Sequence, residues 1–357
     1  MITTINRPDV AVVVLTRNAG ELWPAWLAGI KQQTVKAGRY LVIDSASTDG
    51  TAEQAKAAGM DVYVIDARNF NHGGTRQLAV ELCPDAEFIV YLTQDAILEQ
   101  TDSLEQLLRE FADDSVAMAY GRHIAHKHAG LIEQHARSFT YPEQSARRTR
   151  QDFSRLGFRA AFSSDVYACY RVSALRSVGG FPQDVIVSED SYVTACLLMA
   201  GWRTVYSAES RVRHSHQYSL RQVFQRYFDV GVFHAREAAL LNGIGKPDKE
   251  AGAYVRSLIA FLSERQKLLL PYAAVLTLVK LLGFRLGKKY MSLPEFLCRF
   301  ISVQKAYWQA DSRPRRAGWL TSPELNVTRA YNQSLNGALA YKGVAPRKSV
   351  ADAVSTG

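Results

Sequence analysis

The sequence contains few cysteines, and no two of them stand at the spacing of a metal knuckle or a redox motif. Its 357 residues include four: Cys83, Cys169, Cys196 and Cys298. The absence of a CxxC pair excludes the zinc and dithiol sites that depend on one. Because most of the four lie in apolar runs, we predict that they are buried free thiols.

The sequence also lacks a recognisable signal peptide and a long unbroken apolar segment. Residues 1–10 are polar and charged and lead directly into a strand-like run, so we expect a cytosolic protein. Residues 268–282 are nearly all apolar, but Pro271 and Lys280 interrupt them. This stretch is shorter than the roughly 20 residues that a membrane-spanning helix needs, which favours a buried or interfacial helix.

Negative charge is in the minority, and the chain carries a net charge of +9. A basic surface attracts nucleic acids, anionic lipids or phosphorylated small molecules. No nucleic-acid-binding motif and no basic stripe with interleaved aromatic residues is present, which argues against a nucleic-acid partner.

Short aliphatic runs alternate with helical patterns along the first part of the chain. Runs at 11–15, 41–43, 62–65 and 88–92 predict strands buried on both faces. Helical patterns follow the first run and lie at 51–58 and 75–82, giving the βαβ units of a doubly wound, mostly parallel sheet. We therefore predict an α/β fold.

The later part of the chain is less regular. Residues 125–165 lack a steady period and predict a long irregular excursion of the kind that binds substrates. Further patterns predict a strand at 167–170, a helix at 191–200, and two short strands at 205–206 and 211–212. We divide the chain into an α/β domain at 1–220, a helical extension at 221–311 that faces the acceptor or a membrane, and a mobile tail at 312–357.

Polar side chains follow three of the predicted strands. Ligands in doubly wound sheets bind beyond the carboxyl ends of the strands, so these residues are the candidate site. They are Thr16, Arg17 and Asn18 after the first strand, Asp44 and Ser45 after the second, and Gln94 and Asp95 after the fourth. Asp44 is placed to accept hydrogen bonds from a base or a ribose, although a turn residue would have the same pattern. No GxGxxG accompanies the first strand, which disfavours a dinucleotide.

Asp95 is the candidate metal ligand, because a hard divalent cation such as Mg²⁺ or Mn²⁺ prefers carboxylate and diphosphate oxygens. The alternative is a helix cap. His214 and His216 are two residues apart, and in an extended chain they would point to opposite sides. We therefore expect at most one of them to face a metal at Asp95; two surface histidines are the alternative.

Two further segments suggest ligand chemistry. The loop at 69–76, with Asn71, Gly73 and Arg76, can bring backbone N–H groups and a positive charge to a phosphate, or it is a plain turn. Glu189 and Asp190 precede a predicted helix. Carboxylates at that position often cap the helix, but one of them held over the crevice could act as a general base.

These motifs together resemble those of the family-2 glycosyltransferases. The resemblance covers roughly residues 10–220 and rests on DSASTDGT at 44–51, TQD at 93–95, and GGF, ED and GWR at 179, 189 and 201. It implies a GT-A fold, a nucleotide-diphosphate sugar as donor, Glu189–Asp190 as the source of the catalytic base, and a downstream histidine in the metal site. Thr93 replaces the first acidic residue of the family's DxD motif, which often contacts ribose, whereas the candidate metal ligand Asp95 is retained.

A narrower resemblance, to bacterial rhamnosyltransferases of this family, rests on NFNHGGTR at 69–76, HSHQYS at 214–219 and YFDVG at 227–231. It implies transfer of L-rhamnose from dTDP-L-rhamnose to a saccharide or lipid-linked glycan at the inner membrane surface. It assigns the nucleotide sugar to the strand-end residues and the 69–76 loop, and inversion to Asp190. The alternatives are a UDP-hexose donor and an inactive nucleotide-sugar-binding module; the latter would tend to lose Asp95 and Asp190, and both are present.

Overall fold

Strands and helices alternate through the first two thirds of the chain, as the aliphatic runs predict. The computed structural model describes residues 4–244 and 250–308. Its strands are β1 (Ile5–Thr16), β2 (Val35–Asp44), β3 (Asp61–Val64), β4 (Phe88–Thr93), β5 (Ile97–Leu98), β6 (Val116–Ile124), β7 (Ala146–Arg148), β8 (Tyr167–Arg171) and β9 (Arg203–Arg213). The tail predicted at 312–357 lies outside the described residues.

The helices follow the strands in the order expected of βαβ units and then continue without strands. They are α1 (Trp23–Lys31), α2 (Thr51–Ala57), α3 (His72–Leu82), α4 (Ser103–Arg109), α5 (Leu131–Thr140), α6 (Phe153–Leu156), α7 (Val172–Ser177), α8 (Glu189–Met199), α9 (Leu220–Arg236), α10 (Ala238–Ile244), α11 (Glu250–Arg265), α12 (Leu270–Lys288) and α13 (Glu295–Ile301). The predicted C-terminal helices are thus present.

All of these strands join one mixed, mostly parallel sheet, which confirms the predicted fold class. The order is β3-β2-β1-β4-β8-β6-β9-β5, with β7 beside β9. Strands β1 to β4, β6 and β9 point one way, and β5, β7 and β8 point the other way. Thr16 pairs with Asp44, and Leu15 with Thr93, so the carboxyl ends of the three central strands are level.

The core lies on both faces of this sheet. Along β1, Val12 and Val14 face one apolar cluster, while Ala11 and Val13 face the other. This alternation is the geometry of an extended strand, and it explains why the run is aliphatic throughout. Each fully buried valine stabilises the fold by about 1.5–3 kcal/mol, so the strand is held rigidly in register. Polar groups at its end are therefore fixed in position.

Several predicted elements differ from the observed ones. The excursion predicted at 125–165 contains α5, whose helical period had gone unrecognised, as well as the short elements β7 and α6. The two short strands predicted at 205–206 and 211–212 are parts of a single strand, β9. Strand β6 was missed, because Gly121 and the polar residues after it interrupt its apolar run.

Helices α9 and α12 pack with almost no side chain between their backbones. A Cβ atom at Gly287 would overlap the carbonyl oxygen of Phe228, and one at Gly231 would overlap that of Phe284. Gly283 meets the Phe224 carbonyl in the same way. These contacts fix one face of α12 on the rest of the protein.

The helix containing residues 268–282 is longer than the sequence suggests. Within the described residues, Lys267–Lys288 is long and apolar enough to cross a membrane by length and composition, a test that core helices of soluble proteins also pass. Little of it is buried, because only the glycine-bearing face meets α9.

Substituting Gly287 with alanine should separate α9 from α12. We expect Gly287→Ala to lower the free energy of unfolding by about 1–3 kcal/mol, because backbone rather than a flexible side chain must move. Denaturant unfolding followed by circular dichroism measures this loss.

The matched control is Gly252→Ala in α11, where the new methyl would lie 3.4 Å from the flexible end of Arg256. This variant should be neutral or more stable by about 0.5–1 kcal/mol, since alanine favours a helix. Equal stability of the two variants would contradict the close-packed account of α9 and α12.

Candidate active site

The loops that follow β1, β2 and β4 are tied together by hydrogen bonds. The backbone N–H of Arg17 donates to the Gln94 side chain over 2.8 Å, linking the ends of β1 and β4. The N–H of Asn18 donates to Ser47 Oγ, and the N–H of Thr48 donates to Asn18 Oδ1, each over 2.8 Å. The structure thus brings the three predicted strand ends into one rim.

Asp44 lies at the centre of this rim and is buried. Its carboxylate accepts hydrogen bonds from Thr16 Oγ1 over 2.8 Å and from the backbone N–H of Ser47 over 2.8 Å. Ser45 is buried beside it, and its Oγ has no hydrogen-bond partner among the described residues. The carboxylate is held in a fixed orientation, and its contact with a nucleotide stays a prediction.

Backbone strain is concentrated around the same rim. Among the described residues other than glycine, those with a left-handed backbone are Asn18, Ala46 and Ser188, with φ of 48°, 55° and 64°. Each such residue costs about 1–2 kcal/mol, and such strain is characteristic of functional sites. Two of these residues follow strand ends, and Ser188 directly precedes Glu189 and Asp190.

The side chains of Asp95, His214 and His216 converge on one point. Asp95 Oδ2 lies 3.5 Å from His214 Nε2 and 3.1 Å from His216 Nε2, and the two Nε2 atoms are 2.9 Å apart. The expectation that only one histidine faces Asp95 is therefore wrong. Strand β9 ends at Arg213, and the irregular backbone that follows does not impose two-residue alternation.

The chemistry of these three side chains suits a divalent metal ion. Although burial opposes it, hydrogen bonding to His214 holds the pKa of Asp95 well below its usual range. Burial lowers the pKa of His216 to about 4, so its imidazole is neutral at pH 7. An ionised carboxylate and imidazole nitrogens within 4.8 Å of one another are a suitable donor set.

The segment at 69–76 begins a helix instead of forming an open loop. Asn71 caps α3 by accepting a hydrogen bond from the N–H of Gly74 over 2.5 Å. A Cβ atom at Gly73 would overlap the carbonyl oxygen of Pro182, so this glycine allows the backbones to approach closely. Contact of Asn71 and Gly73 with a phosphate stays a prediction.

Arg76 is buried within the protein and contacts two carboxylates. Its Nη1 donates to Glu189 Oε1 over 2.7 Å, and its Nε lies 3.0 Å from Asp165 Oδ2. The second contact is an ion pair without an aligned hydrogen bond: neither Arg76 Nε nor Asp165 Oδ2 has a hydrogen-bond partner among the described residues. Only about 5% of Arg76 is exposed, although it is among the residues that line the cavity described below. Contact of Arg76 with a phosphate stays a prediction.

Glu189 and Asp190 form the first turn of α8 and differ in their surroundings. Glu189 is buried and paired with Arg76, whereas Asp190 is half-buried, and both line a cavity. Burial, together with the neighbouring Glu189 and Asp165, raises the pKa of Asp190 to about 8. Asp190 therefore binds a proton more tightly than an ordinary aspartate does.

The cavity has a volume of about 1040 Å³ and is lined by the candidate base and by His216, one of the candidate metal ligands. Thr93 also lines it. Helices α5, α9, α11 and α12 contribute further lining residues, including Arg137, Arg226, Tyr254, Tyr272 and Lys280. The sequence analysis did not identify Asp165, Arg137 and Arg226 as lining residues, because they lie outside the motifs. Asp165 could have been found most easily, since it is an acidic residue just before the buried strand β8.

Replacing either histidine with alanine should weaken metal binding. We expect His214→Ala and His216→Ala each to lower the affinity for Mn²⁺ by about tenfold or more, because each removes a nitrogen donor. Isothermal titration with MnCl₂ measures the affinity.

His128→Ala is the control, since His128 is an exposed histidine outside the cluster. Its affinity should match that of the unchanged protein. If either cluster variant keeps the Mn²⁺ affinity of the unchanged protein, only one histidine contacts the metal.

Comparison with known proteins identifies two relatives over most of the chain. An O-antigen chain rhamnosyltransferase from Salmonella typhimurium, RfbN, is 41% identical over 84% of this chain and 96% of its own length. A second from Salmonella anatum, WbaN, is 39% identical over the same shares. They confirm the resemblance to bacterial rhamnosyltransferases.

Solved structures with a similar arrangement are much more distant in sequence. A Pyrobaculum calidifontis mannosyltransferase is 17% identical, with a TM-score of 0.48 over 85% of this chain and 87% of its own. Residues 1–349 of S. aureus TarS are 14% identical, with a TM-score of 0.46 over 94% and 93%. The model of glycosyl transferase family 2 matches residues 11–179, which contain the strand-end rim and Asp95. With the two relatives, this match shows that the chain belongs to glycosyl transferase family 2.

Proposed function

We propose that the protein transfers L-rhamnose from dTDP-L-rhamnose, with inversion, to a glycan or lipid-linked saccharide in the synthesis of an O-antigen-like surface polysaccharide. Two O-antigen chain rhamnosyltransferases that are 41% and 39% identical over 84% of the chain support the sugar and the pathway class. The single observation that supports the reaction is the cavity, because Asp190 and His216, a member of the Asp95–histidine cluster, line the same space.

The donor's nucleoside binds in this proposal at the rim formed by the strand ends, and its diphosphate faces the cavity. The proposed nucleotide-sugar contacts are Thr16, Arg17, Asn18, Asp44, Ser45, Gln94, Asn71 and Gly73. The fixed carboxylate of Asp44 supports this assignment, because a preorganised acceptor of hydrogen bonds loses little entropy when a base or ribose binds.

Asp190 is the proposed base. It takes the proton from the acceptor hydroxyl while that oxygen attacks the anomeric carbon and the diphosphate leaves with the bonding electrons. Attack from the face opposite the leaving group inverts the anomeric carbon. Glu189 is proposed to support the base rather than to take the proton, because its carboxylate pairs with Arg76.

Asp95, His214 and His216 are the proposed ligands of a divalent ion, either Mn²⁺ or Mg²⁺. Two imidazole nitrogens favour Mn²⁺, since Mg²⁺ prefers an all-oxygen environment. Bound there, the ion would neutralise charge on the leaving diphosphate.

We assign donor binding to residues 1–220 and the acceptor to residues 221–311. Two basic side chains that line the cavity from α9 and α12 support this division. Arg226 lies 4.7 Å from the centre of the Tyr218 ring, and Lys280 lies 5.2 Å from that of Tyr254. Within the described ranges neither has a carboxylate partner, and cations over aromatic rings can bind a saccharide or an anionic linker.

The exposed face of α12 and α13 supports attachment to the inner surface of the membrane. Exposed apolar side chains cover it, with Met291 between the two helices 81% and Phe296 75% exposed; the others include Val275, Leu278, Leu281, Leu282 and Phe300. Exposed basic residues flank this face at Arg265, Lys267, Arg285, Lys288 and Lys289. An apolar face bordered by cations suits an anionic leaflet, whereas the glycine-bearing face stays on α9.

The function is tested with a panel of donors and a saccharide acceptor. We expect transfer from dTDP-L-rhamnose to exceed transfer from UDP-glucose, UDP-galactose and GDP-mannose, and the product to have an inverted anomeric centre by NMR. Asp190→Asn should keep donor binding and lose turnover by about 10²- to 10⁴-fold, because it removes the base.

Glu189→Gln should be milder, since Glu189 does not face the acceptor in this proposal. Stronger stabilisation by UDP-glucose than by dTDP-L-rhamnose in a thermal-shift titration would favour a UDP-hexose donor instead. Binding without any transfer to a range of acceptors would favour an inactive binding module.

Membrane attachment is tested by co-sedimentation with liposomes that contain phosphatidylglycerol. We expect binding at low salt that weakens at high salt, and a loss of at least about tenfold in Leu278→Glu/Leu282→Glu, because two buried charges oppose insertion. Tyr63→Glu, at a similarly exposed apolar residue on β3, is the control and should bind normally. If the protein does not bind at low salt, this face has another role.

A further inference from the structure

The proposed base, Asp190, belongs to a cluster of three carboxyl groups close to one buried guanidinium. Arg76 contacts Glu189 and Asp165, as described above, and Asp190 follows Glu189 directly. The backbone N–H of Asp165 donates to Asp190 Oδ2 over a long 3.4 Å, and the N–H of Ser191 donates to Asp190 Oδ1 over 2.6 Å. Each carboxylate oxygen of Asp190 therefore accepts a hydrogen bond from a backbone N–H.

The cluster contains one positive charge for three groups that can each carry a negative charge. Carboxylates this close in a dry environment do not all ionise together, so the cluster retains a proton near pH 7. Asp165 accepts a hydrogen bond from the Tyr170 hydroxyl over 2.6 Å and also lies against Arg76, and Glu189 is paired with Arg76. Asp190 lacks such a cation contact and is left to hold the proton.

We propose that Arg76 and Asp165 are positioning residues for Asp190, which fix its orientation and set the pH range in which it accepts the acceptor's proton. This inference rests on the proposed function, in which Asp190 is the base. Arg76 acts through Glu189, which begins α8, so that the first turn of the helix cannot rotate. Asp165 acts through its backbone N–H and through its negative charge.

Other titratable and charged groups near the cluster come from the elements packed against it. They are His72 on α3, Tyr91 on β4, Tyr170 on β8, Tyr141 after α5, and Arg137 on α5. Burial lowers the pKa of His72 and raises that of each tyrosine, so these four groups are neutral near pH 7. The charged groups that act most strongly on Asp190 are Glu189, Asp165 and Arg76, and Arg137 and Arg226 also line the same cavity.

The dependence of kcat/KM on pH separates this role from a purely structural one. Wild-type activity should rise with pH as Asp190 loses its proton. In Asp165→Asn a negative charge beside Asp190 is removed, so we expect the acidic limb to move to lower pH by about one unit. Tyr170→Phe should move it in the same direction by less, because Asp165 then keeps a proton more readily.

Arg76→Lys tests orientation separately from charge. Lysine retains the positive charge but cannot hold two carboxylates with a planar fork, so kcat should fall about tenfold or more while the acidic limb stays near that of the wild type. Glu87→Gln is the matched control: Glu87 also pairs with a buried arginine, Arg171, over 3.0 Å, but at the opposite end of β4. Its pH profile and kcat should be unchanged.

Donor binding and circular dichroism establish that each variant is folded, and Tyr170→Phe provides the test if Asp165→Asn is not. An acidic limb that stays in place in both variants would overturn the inference. Asp190→Asn separates a failure of the base assignment from a failure of the positioning role. If it retains turnover, the base assignment itself fails; if it is inactive while the Asp165→Asn profile does not move, only the positioning role fails.

Discussion

The burial of Arg76 is the constraint on which the rest of the site depends. A guanidinium removed from water is strongly destabilising unless carboxylates surround it, and breaking such a buried pair costs about 3–5 kcal/mol. Its two partners lie far along the chain, at Asp165 and Glu189. The pairing therefore joins α3, the entry to β8 and the start of α8. A chain that placed any of these segments differently would leave a charge buried without a partner.

The sheet provides the second half of the site in a different way. Aliphatic side chains on both faces hold β1, β2 and β4 in register, and their carboxyl ends are level. The loops beyond them then have little freedom. The hydrogen bonds between these loops stabilise the left-handed backbone of Asn18, which is unfavourable in isolation. Because the core holds the strands rigidly, the polar groups at the rim have fixed positions.

The sequence predicts the strand-end residues well, because a buried parallel strand has an unmistakable aliphatic pattern and its end marks the site. It predicts the position of Asp95 for the same reason. The histidine pair could not be predicted correctly, since the two-residue period applies only while the strand continues, and β9 ends just before His214. Arg76 has a motif but no local sign of its distant partners. Helix α5 could have been predicted, because Leu131, Ile132 and Phe139 recur at helical spacing within it.

The glycine contacts between α9 and α12 have a consequence for geometry. Because no side chain separates the two backbones at Gly231 and Gly287, α12 cannot rock on α9 when side chains change rotamer. The distance between the cavity and the exposed face of α12 is then fixed by the backbone. If that face rests on a lipid surface, the cavity lies at a fixed distance from the bilayer. It would select an acceptor by the distance of its terminal sugar from the bilayer as well as by the identity of that sugar.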